Sequence, residues 1–147
     1  MLARMASEDI GLADPRALEQ AMASVEAFRL MGEPEGDLVL AQTTVYLAMA
    51  PKSDAVYIAL GRARHDVQNS VDEPVPLHLR NAPTKLMKEL GYGKGYQHAH
   101  NFKGAVANME CLPESLRGRR YYVPTNRGIE DRIAKRLAEL KNDIQKR

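Results

Sequence analysis

The sequence predicts an all-α fold, a helical bundle, from three observations. Apolar residues recur at steps of three and four along several segments, helix-capping residues open these segments, and no strand-type alternation exceeds three or four residues. The chain has 147 residues, a usual single-domain size at which folding buries about 70% of the surface of the unfolded chain. We therefore expect one domain over residues 1–147 with a core that needs no disulfide or metal.

The first predicted helix spans residues 15–31. Asp14 is a good N-cap, Pro15 fits the first helical position, and Gly32 is placed to end the helix. The apolar stripe of this helix consists of Leu18, Ala21, Met22, Val25 and Phe28.

Two more helices are predicted after short connections. Segment 38–50 is apolar on nearly every side, which is typical of a central helix, and Pro51 closes it. Ser53 is placed to cap the third helix, whose stripe consists of Val56, Ala59, Leu60, Ala63 and Val67. Because the connections are short, we expect these helices to pack as antiparallel neighbours.

A short fourth helix is predicted at 83–90, after two closely spaced prolines at Pro74 and Pro76. Asn81 is its expected cap and Gly91 its end. These four helices make up a predicted bundle over residues 14–90.

Residues 91–124, which we call the arm, lose the helical period. The arm contains five of the eight aromatic residues of the chain: Tyr92, Tyr96, Phe102, Tyr121 and Tyr122. A disordered linker would lack such rings, and a loop of this length is often functional. We expect an ordered irregular arm that packs on its own bundle or on a neighbouring subunit.

The last predicted helix spans residues 125–146 and begins at Thr125. Its apolar residues form a narrow seam that suits one partner helix, and they are Ile129, Ile133, Leu137, Leu140 and Ile144. Asp131 and Lys135 are spaced for an ion pair in the favourable order.

Composition excludes a disulfide-stabilised scaffold and a membrane-spanning protein. A single cysteine, Cys111, cannot form an intramolecular disulfide, and the longest apolar-rich stretch is shorter than the roughly 20 residues that a membrane span requires. No secretory signal precedes Glu8 and Asp9. The expected location is the cytoplasm, without membrane contact.

Charge is unevenly distributed along the chain. The net charge is −5 over residues 1–50, +2 over 51–100 and +5 over 101–147. The basic residues that stand beside aromatic rings are Lys94, Lys103, Arg117, Arg119 and Arg120. This pattern suits nucleic acid, because cations bind phosphates while rings stack on bases. The alternative is that the tyrosines pack into the bundle while the arginines pair with acidic groups of the first helix or of a neighbouring subunit.

No catalytic or metal motif is complete. The glycines at 91–95 fail the phosphate-loop pattern because Lys94 is followed by Gly95 and not by Ser or Thr. His98 and His100 lack the further ligands of a zinc site, and Cys111 has no neighbouring base. We expect no enzyme activity and no bound cofactor from these residues alone.

Several long strings resemble one family in their order along the chain. They are ASEDIG at 6–11, LAMAPKS at 47–53, PLHLR at 76–80, LMKELGYGKGY at 86–96 and LRGRRYY at 116–122. The chain is similar to the C-terminal region of the replication-associated recombination protein A family, also called MgsA, which is related to the Werner helicase-interacting protein.

This resemblance implies an all-α domain similar to the collar of clamp-loader subunits, within a homotetrameric AAA+ ATPase that acts on DNA at stalled replication forks. It also implies single-stranded-DNA-binding protein as a partner and a nucleoid-associated location. The ATPase part, with its ATP and magnesium, is absent from this chain, so we expect a fragment. The leading hypothesis is an oligomerisation module in which the five aromatic residues of the arm are interface anchors. The alternative is a module that contacts DNA or a partner protein through the basic cluster at 117–120.

Overall fold

The computed structural model describes residues 1–70 and 73–145. Every regular element in these two ranges is helical and none is a strand, which confirms the predicted all-α class. The α-helices are α1 (Leu2–Met5), α2 (Arg16–Met31), α3 (Glu35–Met49), α4 (Ala55–Asn69), α5 (Lys85–Glu89) and α6 (Glu130–Gln145). In this part of the chain, none of the helices has the length and apolar character to cross a bilayer.

The described chain divides into two compact units. The first unit contains residues 1–64 and 121–137, and the second contains residues 65–120 and 138–147. The expectation of one domain over the whole chain stays a prediction.

Helix α2 confirms the first predicted helix to within one residue. Asp14 Oδ1 accepts a hydrogen bond of 3.2 Å from the backbone N–H of Arg16, and so satisfies one of the amides that a helix start leaves open. Gly32 ends the helix with a φ of 69°, a conformation that favours glycine.

The core of the first unit is made mostly of small side chains. Ala6, Ile10, Ala17, Ala21 and Leu47 are each at most 1% exposed and form one cluster. Ala6 and Ile10 come from turns that continue α1, a π-type turn at Ala6–Ile10 and a 3₁₀ turn at Gly11–Ala13. The sequence pattern before residue 14 had indicated no helix.

Helix α3 packs against α2, and the expectation that it is central is wrong. Thr43 and Leu47 are buried, whereas Leu38, Val45 and Met49 are 74%, 63% and 81% exposed. The physical reason is that an apolar helix is enclosed only where neighbours surround it, and in the described residues α3 packs mainly against α2 and α1.

The connection from α3 to α4 is held by Ser53. Its Oγ accepts from the backbone N–H of Ala55 at 3.3 Å, in keeping with its expected capping role. Its own N–H donates to the carbonyl of Asp9 at 2.8 Å. Within the described residues α3 and α4 do not pack as a pair, which corrects the expectation of antiparallel neighbours there. The reason is that the non-helical connection is fixed to the N-terminal turns.

Helix α5 begins later than predicted because its cap is Thr84 and not Asn81. Thr84 Oγ1 accepts from the backbone N–H of Met87 at 3.2 Å. The arm that follows is irregular, as expected, with short 3₁₀ turns at Ala99–Asn101, Lys103–Ala105 and Glu114–Leu116.

Helix α6 begins at Glu130, so the prediction of Thr125 as its N-cap is wrong. The chain before it turns at Gly128, with a φ of 54°, and the N–H of Ile129 donates to the carbonyl of Ala13 at 2.9 Å. The predicted ion pair is confirmed, with Lys135 Nζ 2.6 Å from Asp131 Oδ2. Residue 146, where the predicted helix ends, lies outside the described residues.

Replacing Gly128 by Ala is expected to lower the free energy of unfolding by roughly 3 kcal/mol, from left-handed strain and overpacking together. A Cβ at this position would clash with the backbone carbonyl oxygen of Ala13. Gly32→Ala is the matched control, because Gly32 also has a positive φ but a Cβ there would meet nothing within 4 Å. It should cost about 1–2 kcal/mol. Urea unfolding of both variants tests this, and equal losses would contradict it.

Candidate functional site

The most constrained polar group of the first unit is the carboxylate of Glu130, which is 0% exposed. It accepts hydrogen bonds from Ser53 Oγ at 2.7 Å and from Tyr122 OH at 3.0 Å. Thr125 donates twice, from its backbone N–H at 2.8 Å and from Oγ1 at 2.7 Å. We call these four residues the Glu130 cluster. The cluster ties the α3–α4 connection and the end of the arm to the start of α6.

Burial alone would raise the pKa of Glu130, but the hydrogen bonds from Thr125, Ser53 and Tyr122 prevail and hold the pKa below its usual range. Burial and the bond to Glu130 raise the pKa of Tyr122 to about 12. Glu130 is therefore charged at neutral pH and Tyr122 is neutral. A carboxylate whose oxygens already accept four hydrogen bonds is a poor general base, so the cluster is structural.

A second buried carboxylate, Asp14, has a similar environment. It is 8% exposed, and Tyr46 OH donates to its Oδ2 at 2.6 Å. Burial acts to raise the pKa of Asp14, but the hydrogen bonds from Tyr46 and Arg16 together hold it below its usual value. This carboxylate also supports the fold, because it links the start of α2 to α3.

Three aromatic anchor candidates lie in the second unit. Tyr92 is half-buried beneath Arg80, whose guanidinium carbon lies 5.2 Å from the ring centroid. Tyr96 is 47% exposed and meets His98 edge to face, with ring centroids 4.8 Å apart. Phe102 is half-buried. Of these three rings, Tyr96 is the one most available to a ligand or partner.

The other two candidates, Tyr121 and Tyr122, lie in the first unit, and both are half-buried. Tyr122 uses its hydroxyl in the Glu130 cluster. This contact agrees with the alternative in which the tyrosines pack within their own chain.

Two of the three candidate arginines form ion pairs. Arg117 Nη1 lies 3.7 Å from Glu114, and Arg119 Nε lies 3.5 Å from Asp66. These acidic partners are close in the second unit and do not come from the first helix. Arg120 is exposed and forms no ion pair among the described residues.

Of the candidate lysines, Lys94 is exposed on the glycine-rich turn after α5. The side chain of Lys103 lies outside the described residues.

The described residues bring together no group of three or more His, Cys, Asp and Glu side chains that could hold a metal ion. The thiol of Cys111 is exposed, with its Sγ 3.6 Å from the carbonyl of Met109. Within the same described ranges, neither His98 nor His100 belongs to such a group.

Sequence reasoning missed the position of Arg80. Its Nε donates to the carbonyl of Val75 at 2.6 Å and its Nη1 to Tyr92 OH at 3.3 Å. No local pattern could have found this pairing, because it depends on how segment 73–80 meets the start of the arm.

These contacts define the class of protein as an all-helical domain whose buried polar groups are structural, with no phosphate loop and no metal-ligand cluster among the described residues. The chain belongs to the family described as MgsA AAA+ ATPase C terminal, whose model matches residues 1–141. This confirms the resemblance seen in the sequence.

The chain is similar to curated proteins from bacteria and from a eukaryote. It is 55% identical over 135 residues to replication-associated recombination protein A of Coxiella burnetii, covering 91% of this chain and 31% of that protein. It is 50% identical over 142 residues to the protein of the same name in Escherichia coli strain K12, covering 96% of this chain and 32% of that protein. ATPase WRNIP1 of Dictyostelium discoideum is 42% identical over 122 residues, which are 82% of this chain and 14% of that protein. The chain thus spans about a third of its bacterial relatives.

We expect Glu130→Gln to lower the free energy of unfolding at pH 7 by roughly 2–4 kcal/mol, because the donors around the carboxylate lose a charged acceptor. Since the pKa of Glu130 is depressed in the folded state, its contribution is complete above the unfolded pKa of about 4.3 and is lost as the pH falls through the folded pKa. The gap between the parent chain and the variant should therefore narrow below about pH 4.

Urea unfolding at pH 7 and at several acidic pH values measures this gap. Glu19→Gln, an exposed substitution on α2, is the control and should change stability by less than about 0.5 kcal/mol. A gap that stays constant down to the lowest pH would contradict the assigned role of Glu130.

Proposed function

We propose that this chain is the homo-oligomerisation domain, assembling as a tetramer, of a clamp-loader-like AAA+ ATPase that acts in replication-fork maintenance and recombination or repair. Family membership and the names of its relatives, replication-associated recombination proteins, support the general role. The assembly role rests on the exposed surface of α3.

The outer face of α3 has the composition of an interface. Leu38, Val45 and Met49, all strongly exposed, are spaced seven and four residues apart and so lie along one side of the helix. No charged residue occurs between Asp37 and Lys52. Protein–protein interfaces are depleted of charged residues at their centre, where apolar side chains take their place.

A second copy of the same chain fits this face. In a two-fold interface each patch meets itself, so any charge near the axis would face a like charge. The stripe carries none, and the exposed Ala41 and Ala48 beside it allow a partner helix to approach closely. The five aromatic residues of the arm remain candidate anchors. Of these, Tyr96 is exposed, whereas Tyr122 is already bonded to Glu130.

Size-exclusion chromatography with light scattering, over a concentration series, tests the assembly. We expect a mass near four times 16.4 kDa. Val45→Glu should reduce the mass, because a buried unpaired charge costs several kcal/mol at an interface. Gln68→Glu is the matched control for Val45→Glu, because it adds the same charge at an exposed position of α4. Phe102→Ala tests whether the arm takes part in assembly. A monomer at every concentration for the parent chain would contradict the proposal.

We also propose that ATP and magnesium bind to the rest of the longer parent protein. The residues of this chain do not fit them. Lys94 is followed by Gly95, where a phosphate loop needs Ser or Thr for the metal ion. DNA and single-stranded-DNA-binding protein are proposed partners of the parent, which we expect to be a DNA-dependent ATPase associated with the nucleoid.

Direct DNA contact is the second candidate function. The observation that favours it is that Lys94 and Arg120 are exposed and form no ion pair with the described carboxylates. Arg117 and Arg119, whose carboxylate partners are themselves in the second unit, are weaker candidates, because a phosphate must displace the partner.

Fluorescence anisotropy with a labelled single-stranded oligonucleotide, at several salt concentrations, tests this contact. Each phosphate contact should contribute about 0.7 to the slope of log affinity against log salt. Arg120→Gln should lower the slope by about one such contact, whereas the control Arg29→Gln on α2 should not. Affinity that is independent of salt would exclude this function.

A further inference from the structure

Two cavities of the second unit are both lined by His78, but their other lining residues differ in charge. One, of about 420 Å³, is lined by the carboxylate-bearing residues Glu73, Glu110 and Glu114. The other, of about 400 Å³, has no carboxylate among its lining residues, which include His78, Arg80, Asn81, Gly93, Tyr96 and His98. We call the second one the Arg80 cavity. Its volume lies within the range of about 300–1,000 Å³ that small-molecule sites occupy.

The charge of Arg80 has no carboxylate partner among the described residues. Its Nε donates to the Val75 carbonyl and one Nη1 hydrogen to Tyr92 OH, so three of its five N–H donors remain. Glu110, whose backbone carbonyl accepts from His78, uses its carboxylate to accept from the backbone N–H groups of Cys111 and Leu112 at 3.0 and 3.1 Å. A positioned guanidinium that has no counter-charge among the described side chains is suited to a phosphate group.

The aromatic side of the Arg80 cavity is a corner made by Tyr96 and His98. The two ring planes are at 84° with centroids 4.8 Å apart. A planar heterocycle can stack on one of these rings while its edge meets the other, and stacking of this kind tolerates any base. His78 adds a polar wall: its Nε2 donates to the carbonyl of Glu110 at 2.7 Å, which leaves Nδ1 for a ligand.

We propose that the Arg80 cavity binds one nucleotide, with its phosphate on the guanidinium of Arg80 and its base in the corner formed by Tyr96 and His98. The ligand is either a free nucleoside monophosphate or one unit of a single strand. This site goes beyond the proposed assembly role, does not depend on it, and is distinct from the basic cluster at 117–120.

Binding to the full 147-residue chain is measured with three probes: thymidine monophosphate, inorganic phosphate and an oligothymidylate of twelve nucleotides. NMR titration follows the side-chain signals of Tyr96 and His98, and anisotropy follows the oligonucleotide. Tyr96→Ala, at an exposed position, should weaken nucleotide binding at least fivefold through lost stacking. Arg80→Gln should weaken it at least tenfold. His100→Ala, an exposed histidine that does not line the cavity, is the matched control and should have no effect.

Tighter binding of the oligonucleotide than of the monophosphate, with both weakened by Tyr96→Ala, identifies a single strand as the ligand. If the monophosphate and the oligonucleotide bind with equal affinity per site, the ligand is a free nucleotide. The proposal is overturned if inorganic phosphate binds as tightly as the monophosphate and Tyr96→Ala changes neither, or if no probe shifts the Tyr96 and His98 signals at millimolar concentration. These readouts are independent of the oligomeric state, so a monomeric chain would leave this test intact.

Discussion

The fold of the first unit depends on one buried anion. Glu130 is fully buried and charged, and a charge in that position is stable only while every donor around it stays in place. Its donors come from Ser53, 77 residues earlier in the chain, and from Tyr122 and Thr125. The tight turn before α6 follows from this constraint, because the chain must bring Thr125 back to the carboxylate within five residues.

The small side chains of the core explain why large apolar side chains of α3 are exposed. Alanines fill most of the space between α2, α3 and the N-terminal turns, so these helices lie close together, and a Cβ on Gly36 would come within 2.7 Å of the Phe28 ring. Close approach leaves little interior volume for large side chains. Leu38, Val45 and Met49 therefore remain exposed on the outer face of α3.

Local signals predicted local structure. The span of α2, its end at Gly32 and the Asp131–Lys135 pair were predictable, because each depends on residues within one or two turns. The exposure of α3 was not, since an apolar sequence does not reveal whether its neighbours lie in the same chain. Thr125 looked like a helix cap, and its Oγ1 does accept from the backbone N–H of Arg127 at 3.3 Å, but the chain turns at Gly128 and α6 begins only at Glu130. For the candidate site, the sequence named Tyr96 as a candidate interface anchor and Lys94 as a candidate nucleic-acid contact, but it could not place Arg80 over Tyr92.

Glu130 and Arg80 are both charged side chains held by neutral groups, but they have different roles. Each is a charge held by neutral groups, without an opposite charge among the described side chains. Glu130 is fully enclosed and its oxygens are saturated by four donors, so it has no capacity for a ligand. Arg80 is only half-buried, retains unused N–H donors and borders a cavity free of carboxylates. Burial and donor saturation thus distinguish a charge that stabilises the fold from one that is available to bind an anion.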